Sequence, residues 1–308
     1  MRRTCVNMVY ELAKRDERVV FIGSDLGAGL LDDMKAEMPD RFFMEGICEQ
    51  NMIGMAAGMA REGYIPYVNT IATFMTRRCF EQVAVDVCLQ NLPVRLIANG
   101  GGLVYAPLGP THTAVDDISL MRSLPGMTVV APVDAEEMRR FMAQTVEHPH
   151  PMYIRLGKGG DPVVSADAPA FEIGRAIAHR DGADVLIVST GVMTERALRT
   201  ADLLAKKGIG CGVLHMHTVK PIDTAQLIDG AGKVALLVTL EEHNKVGGLG
   251  SAVCDALDEH AAGVRPDVLR LALPDAYPED YGSQDSLLEH YGLQPPAVAA
   301  SIAARLSR

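Results

Sequence analysis

Short apolar runs alternate with amphipathic segments of helical length along most of this 308-residue chain. In the first half, the runs that predict strands are residues 19–23, 64–69, 94–98, 128–132 and 152–156. The intervening segments that predict helices lie near residues 4–15, 48–61, 75–90, 113–123 and 134–146. Apolar strands that alternate with helices are typical of a parallel sheet covered by helices. The pattern therefore predicts an α/β fold.

The alternation is interrupted once, at GKGGDPVVSADAPAF (157–171), which follows neither the helical nor the strand period and predicts a linker. Beyond it, strands are predicted at 184–190, 212–217, 234–239 and 268–273, and helices near 192–207, 247–260 and 294–307. We therefore expect two doubly wound α/β domains, residues 1–160 and a smaller domain at 173–308, joined by residues 161–172.

Composition and charge exclude several classes of function. The net charge of −10 leaves no basic surface for nucleic acid or for an anionic membrane. No apolar run is long enough to span a bilayer, and the N-terminal residues are amphipathic where a signal peptide needs an apolar core. The six cysteines lack paired spacing, and the histidine pairs 148/150 and 215/217 lack further ligands at a suitable spacing. We expect a cytoplasmic protein with no disulfide framework and no metal ligands of its own.

The stretch MEGICEQNMIGMAAGMA (44–60) places an acid, Glu49, at the start of an otherwise apolar helix. One interpretation is a first-turn acid that the helix dipole stabilises. The other is a carboxylate held in a dry contact, where desolvation raises its pKa and makes it a proton exchanger. Composition does not decide between them. Gly54 and Gly58 lie four residues apart, so one face of this helix can approach another backbone closely.

Further motifs accompany this stretch in chain order: GSDLGAG (23–29), ATFMTRRCFEQV (72–83), GPTHTAVDDISLMRSLPGMTVVAPVD (109–134), LHMHTVKPID (214–223) and EEHNKVGGLGSAV (241–253). Taken together, they resemble the C-terminal half of transketolases. The resemblance covers nearly the whole chain and is closest to split transketolases, in which two genes encode the two halves. It implies a pyrimidine-binding domain followed by a smaller transketolase C-terminal domain.

The resemblance also implies thiamine diphosphate and Mg²⁺ as cofactors, with this half holding the aminopyrimidine ring. Glu49 matches the acid that hydrogen-bonds the ring nitrogen and so promotes loss of the thiazolium C2 proton. The resulting nucleophile takes a two-carbon unit from a ketose and passes it to an aldose. His112 matches a histidine that faces the reacting carbons and moves a proton. Phe74 and Phe80 match aromatic residues around the pyrimidine, although filling the core is an equally good interpretation for Phe80.

Three charged residues complete the implied site. Arg77 stands where transketolases usually carry another aromatic residue, and the related deoxyxylulose-phosphate synthases also have an arginine at this spacing. Stacking, anion binding and a solvated helix face all remain open for it. Asp25 matches an acid near the cofactor and subunit interface, and a local turn is the alternative. Arg155 matches an arginine that binds the substrate phosphate.

Three positions depart from the family pattern. Gly100, Leu108 and Gly29 stand where ordinary transketolases have His, Asp and Ser, which bind sugar hydroxyls and phosphate. We expect the carbon–carbon chemistry to survive these changes. The donor is then expected to be a less usual ketose, either branched or carrying another anionic group.

The Gly-Asp-Gly motif that holds the diphosphate and Mg²⁺ in this family does not occur in the sequence. The glycines at 247, 248 and 250 are interpreted as tight strand–helix packing rather than as a phosphate cradle. We therefore expect an N-terminal transketolase subunit as partner, which carries the diphosphate and Mg²⁺ site. An α2β2 assembly is expected, in which the Gly54/Gly58 face packs against its counterpart in a second copy.

Other interpretations remain open. The β subunit of a 2-oxo acid dehydrogenase shares the glutamate and the two domains, whereas GPTH followed by Asp116 and Asp117 favours a transketolase. Half of a deoxyxylulose-phosphate synthase is a weaker alternative because those enzymes are normally one chain. A non-catalytic scaffold subunit is the alternative from another class, and retention of Glu49, Phe74 and His112 argues against it.

Overall fold

The computed structural model describes residues 1–26, 29, 31–261 and 265–307, and shows two sheets flanked by helices. The strands of the first domain are β1 (Val19–Gly23), β2 (Phe42–Met44), β3 (Ile65–Ile71), β4 (Arg95–Asn99), β5 (Thr128–Val130) and β6 (Met152–Leu156). Its helices are α1 (Arg2–Arg15), α2 (Asp32–Glu37), α3 (Glu49–Arg61), α4 (Phe80–Gln82), α5 (Asp117–Arg122) and α6 (Ala135–Met142). Most of these strands are buried along their whole length, as expected for parallel strands with helices on both faces.

The second half of the chain repeats this architecture. Its strands are β7 (Ile177–Arg180), β8 (Val185–Ser189), β9 (Cys211–His215), β10 (Thr218–Lys220), β11 (Leu236–Asn244) and β12 (Asp267–Leu273). Its helices are α7 (Met193–Ala205), α8 (Thr224–Ala231), α9 (Leu249–His260), α10 (Gln284–His290) and α11 (Pro295–Leu306). The strand order is β12–β11–β8–β9–β7, with only β7 antiparallel to its neighbour.

One short strand of the second half joins the sheet of the first. The order of that seven-stranded sheet is β10–β5–β6–β4–β3–β1–β2, and β10 runs antiparallel to β5. The ammonium group of Lys220 donates to the carbonyl oxygens of Arg122 and Leu124 beside this strand, at 2.8 and 2.5 Å. One buried apolar cluster extends from Met121 and Met127 to Val219, so the two domains share part of their core.

The prediction of an α/β fold with two mostly parallel sheets is confirmed. Strands β1 and β6 lie at the predicted residues. The helix expected at 75–90 is instead α4 flanked by two wider π-helical turns, Phe74–Arg78 and Val83–Cys88. The sequence analysis missed six elements, most of them too short or too polar to show a period: β2, β7, β10, α2, α8 and α10.

Residues 157–171 form neither helix nor strand, but they are not loosely attached. The carboxylate of Asp134, at the start of α6, accepts from the backbone N–H groups of Val164 and Ser165, both at 2.8 Å, and from the Ser165 hydroxyl at 2.7 Å. Phe171 is buried against Phe141. No helix in the described ranges combines the length and the apolar character that crossing a membrane requires.

Candidate active site

The residues singled out from the sequence follow the carboxyl ends of neighbouring strands. The segment after β3 carries Phe74, Arg77 and Phe80, and the loop after β4 carries His112. Glu49 begins α3, shortly after the end of β2. In open parallel sheets, ligands bind beyond the carboxyl ends of the strands. The topology therefore places these side chains at the edge of the sheet where a ligand is expected.

Glu49 is buried, with only 3% of its side chain exposed, although it is the first residue of α3. Its carboxylate oxygen Oε2 accepts a hydrogen bond from Nη1 of Arg78 at 2.6 Å. Arg78 itself is 42% exposed. Glu49 is thus an ion-paired carboxylate under a partly solvated cation, which differs from a solvated first-turn acid.

Phe74 lies on the other side of Arg78. The guanidinium carbon of Arg78 is 4.5 Å from the centre of the Phe74 ring, a distance typical of a cation–π contact. Residues 74 and 78 begin and end the first π-helical turn, and residues four apart lie on one side of a helix. Turns of this kind are frequent at functional sites.

His112 extends the row. Its ring meets the edge of Phe74 with centroids 5.1 Å apart, and its Nδ1 lies 2.8 Å from the hydroxyl of Thr111. The backbone N–H of His112 donates to the carbonyl of Gly109, which closes the turn of the GPTH motif. The structure therefore brings Glu49 and His112 to one site, linked through Arg78 and Phe74.

Arg77 fixes the loop that carries His112. Its Nε and Nη2 donate to the Asp116 carboxylate at 2.9 and 2.8 Å, and Nη2 also donates to the carbonyl of Thr113 at 3.1 Å. The ring of Tyr277, from the second domain, lies 5.5 Å from the guanidinium carbon. Of the three interpretations left open, a solvated helix face is therefore wrong for Arg77.

Glu242 holds the same loop from the second domain. This buried carboxylate accepts from the backbone N–H of Leu103 at 2.7 Å and from the side-chain amide of Gln284 at 2.9 Å. Burial raises the pKa of Glu242, an effect that the charge of Arg155 and the Gln284 hydrogen bond oppose without cancelling. The loop between β4 and His112 therefore depends on the second domain for its anchor.

Arg155 lies in the interior, with 6% of its side chain exposed. Its Nε donates to Asp117 Oδ2 at 2.7 Å, and its Nη2 donates to Asp117 Oδ1 at 3.1 Å and to the carbonyl of Glu242 at 2.9 Å. Burial alone would raise the pKa of Asp117, but the charge and hydrogen bonds of Arg155, together with His243 and the Tyr153 hydroxyl, outweigh it and hold that pKa below its usual range. This pairing disagrees with the expected phosphate-binding role, because a fork that binds phosphate needs a free pair of donors.

The remaining expected residues lie at the margin of the site. Phe80 is half-buried and packs against the apolar core, which favours its core-filling interpretation. Asp25 is exposed in the turn after β1, and Gly29 is exposed as well. Residues 27 and 28 of the GSDLGAG motif, and residue 30 just after it, lie outside the described residues.

The glycine cluster at the start of α9 does not form a phosphate cradle. Glu241 Oε2 accepts from the backbone N–H of Leu249 at 2.6 Å, and Oε1 accepts from that of Gly250 at 2.8 Å. A Cβ at Gly248 would lie 2.1 Å from Glu241 Oε2. The helix N-terminus is thus already occupied by a carboxylate of the same chain, and the packing interpretation is confirmed. Within the described ranges, no three His, Cys, Asp or Glu side chains are placed to hold a metal ion.

Sequence reasoning missed two residues of the site, Arg78 and Glu242. Arg78 lies next to Arg77 in the sequence, and the motif alone does not show which of the two faces Glu49. Glu242 lies 130 residues beyond His112, in the other domain. Its signal in the sequence was the pair of acids within the buried strand β11, since buried carboxylates are rare unless they are paired.

Two family models match the chain: "Transketolase, pyrimidine binding domain" over residues 1–160, and "Transketolase, C-terminal domain" over residues 174–298. The chain belongs to the transketolase family. Membership of this family implies dependence on thiamine diphosphate.

Relatives of this transketolase chain include separate subunits as well as longer enzymes. The 6-deoxy-6-sulfo-D-fructose transketolase subunit SqwH of Clostridium sp. (strain MSTE9) is 37% identical over 95% of this chain and 90% of the relative. The 1-deoxy-D-xylulose-5-phosphate synthase of Synechococcus sp. (strain WH7803) is 37% identical over 97% of this chain, which spans 46% of that enzyme. A solved split-gene transketolase, described as an inactive β4 tetramer, matches at 36% identity with a TM-score of 0.88, covering 99% of this chain and 97% of that one.

Proposed function

We propose that this chain is the C-terminal subunit of a two-chain transketolase, which transfers a two-carbon ketol unit from a ketose to an aldose. The observation that carries the proposal is the contact row of Glu49, Arg78, Phe74 and His112 beyond the carboxyl ends of the strands. The full-length similarity to separately encoded transketolase subunits supports it.

The row fits the aminopyrimidine half of thiamine diphosphate. Arg78 engages Oε2 of Glu49, and no hydrogen bond within the described part of the chain involves Oε1. The partly exposed ring of Phe74 stands on the same side and offers a face to a flat heterocycle. Glu49 would bind the ring nitrogen, and Phe74 would hold the ring in place.

When bound, thiamine diphosphate supplies the carbon nucleophile that cleaves the bond next to a ketose carbonyl. Glu49 would share a proton with the ring nitrogen through Oε1, while Arg78 keeps the other carboxylate oxygen fixed. His112 presents Nε2 to the donor hydroxyl, because its Nδ1 is turned towards Thr111. Both groups therefore act by proton transfer at defined atoms.

The diphosphate and Mg²⁺ do not fit this chain, because no group of potential metal ligands is found in its described part and Glu241 fills the start of α9. A partner subunit that carries the diphosphate-binding domain would supply them. The enzyme is then active only as the complex of both chains.

The exposed face of α3 supports a further contact with a second copy of the chain. Gly54 and Gly58 are exposed, and a Cβ at either would meet nothing within 4 Å. A glycine inside a helix costs about 0.5–1 kcal/mol relative to alanine, so these two serve no purpose in the isolated fold. Ile47, two residues before α3, is 70% exposed and adds apolar surface near the start of the helix. These features favour close helix packing between two copies in an α2β2 assembly.

The test is to produce the chain together with a partner that carries Gly-Asp-Gly and to screen ketose donors with an aldose acceptor. We expect ketol transfer by the complex and none by either chain alone. Efficient use of D-xylulose 5-phosphate would contradict the expectation that the donor is an unusual ketose. Decarboxylation of pyruvate without ketol transfer would instead favour a 2-oxo acid dehydrogenase, and condensation of pyruvate with an aldose phosphate would favour a deoxyxylulose-phosphate synthase.

A further inference from the structure

The loop that leads to His112 contains an aromatic side chain that the proposed chemistry does not use. Gly100, directly after β4, has φ +80°, in the left-handed region that favours glycine. A Cβ at this position would lie 2.1 Å from Cε2 and 2.3 Å from Cδ2 of Tyr105. The ring of Tyr105 therefore lies against the backbone of Gly100, in the space that any side chain at residue 100 would take.

Tyr105 continues the row of the candidate site. Its ring meets the ring of His112 nearly edge-on, with centroids 6.5 Å apart and planes at 78°. The row thus runs from Glu49 through Phe74 and His112 to Tyr105, with the acid at one end and the phenol at the other. A ligand that reaches from Glu49 past His112 meets Tyr105 next.

The cations that flank the row carry no free charge. The three arginines that flank the row are each paired with a carboxylate: Arg77 with Asp116, Arg78 with Glu49 and Arg155 with Asp117. Leu108, which is 50% exposed, adds an apolar side chain to the same loop. We call the side of the site formed by His112, Tyr105 and Leu108 the wall. It offers aromatic and apolar surface and one hydroxyl to a ligand.

The hydroxyl of Tyr105 has no role in holding the fold. Tyr105 is half-buried, and its phenolic oxygen is neither hydrogen-bonded within the described part of the chain nor among the fully buried atoms that lack a partner. The hydroxyl is therefore open to a ligand, to which it can donate a hydrogen bond or from which it can accept one.

We propose that Tyr105 determines substrate specificity: its hydroxyl bonds a hydroxyl group of the donor ketose, and its ring packs against the uncharged carbon chain. This inference rests on the proposed function. The part of the ketose that faces this wall is a hydroxylated, uncharged carbon, and an anionic substituent lies elsewhere, on the partner's side of the site.

The test compares Tyr105→Phe with the wild type in the complex of both subunits. Phenylalanine keeps the ring that packs against Gly100, so the variant removes only the hydroxyl. The donors are D-xylulose and D-xylulose 5-phosphate, and β-hydroxypyruvate supplies the same two-carbon unit without a sugar chain. Tyr64→Phe is the matched control, because Tyr64 is 42% exposed just before β3, at the end of the strand away from the site.

We expect Tyr105→Phe to lower kcat/KM for the sugars by about three- to tenfold, the size of one lost hydrogen bond. Turnover of β-hydroxypyruvate and the affinity for thiamine diphosphate should stay within twofold of the wild type, and Tyr64→Phe should change none of these values. An equal loss with sugars and β-hydroxypyruvate, or no loss with any donor, would overturn the inference while the proposed function stands. A wild-type complex that transfers no ketol unit from any donor, β-hydroxypyruvate included, would overturn both.

Discussion

Replacement of Glu49 by glutamine should abolish activity while leaving the fold intact. The amide retains the shape of the side chain and one oxygen that can accept from Arg78, but it cannot exchange a proton. A positioned acid or base contributes about 10²- to 10⁴-fold to a rate, so we expect a loss of that size in ketol transfer.

The effect of Glu49→Gln on stability depends on how exposed Arg78 is. Arg78 is 42% exposed and recovers water when the negative charge disappears, so the pair behaves largely as a surface ion pair. We expect the free energy of unfolding to fall by less than about 1 kcal/mol. Oε1 of Glu49 makes no hydrogen bond within the described part of the chain. Replacing it by the amide nitrogen therefore leaves no donor in that part without its acceptor.

The assay measures ketol transfer by the reconstituted complex, urea unfolding of each variant and assembly by analytical ultracentrifugation. Glu62→Gln is the control, because it makes the same charge change at an exposed residue just beyond the far end of α3. The control should leave all three readouts unchanged. A Glu49→Gln complex that retains more than about a tenth of the wild-type rate would refute the proton-transfer role.

Three further predictions concern the exposed face of α3, the Glu242 anchor and a buried histidine. Gly54→Leu should weaken self-association of the complex at least tenfold without destabilising the isolated chain, since nothing in the chain lies within 4 Å of the new Cβ; sedimentation that shows unchanged assembly would contradict the α3 contact. Glu242→Ala should lower the free energy of unfolding by about 1–3 kcal/mol and slow ketol transfer, because the N–H of Leu103 loses its buried acceptor; a variant as stable as the wild type in urea would contradict this anchor. Burial, reinforced by the charge of His215, lowers the pKa of His217 to about 3, so below pH 6.5 the unfolded chain takes up a proton that the folded chain refuses. The free energy of unfolding should therefore fall by about 2 kcal/mol from this residue between pH 7 and pH 5, and His217→Asn should remove about that much of the pH dependence measured by urea unfolding; an unchanged slope would contradict it.

The sequence was sufficient for the architecture because fully buried parallel strands are long apolar runs. Strands such as β1 and β6 have no polar residue to interrupt the pattern except Arg155, and both were located to the residue. Hydrophobic periodicity could not reveal β10, because this strand has only three residues and is too short to show an alternating pattern. It is a strand because it pairs with β5 in the sheet of the other domain. Tertiary pairing, which sequence periodicity does not report, defines that strand.

The candidate site was predictable only in part. Glu49, Phe74 and His112 were identified from motifs, and the structure brings them together. The expectation for Arg155 failed because its counterion, Asp117, lies 38 residues away and becomes a neighbour only through the packing of α5 on the sheet. Tyr105 looked unremarkable in the sequence, and only the space left by Gly100 shows where its ring lies.

The most direct test is the structure of the reconstituted complex with thiamine diphosphate bound. Our account predicts that a carboxylate oxygen of Glu49 lies about 3 Å or less from the ring nitrogen of the aminopyrimidine, with the diphosphate and Mg²⁺ held by the partner subunit. A complex in which Glu49 keeps only Arg78 as its partner, with the cofactor bound at another place, would contradict it.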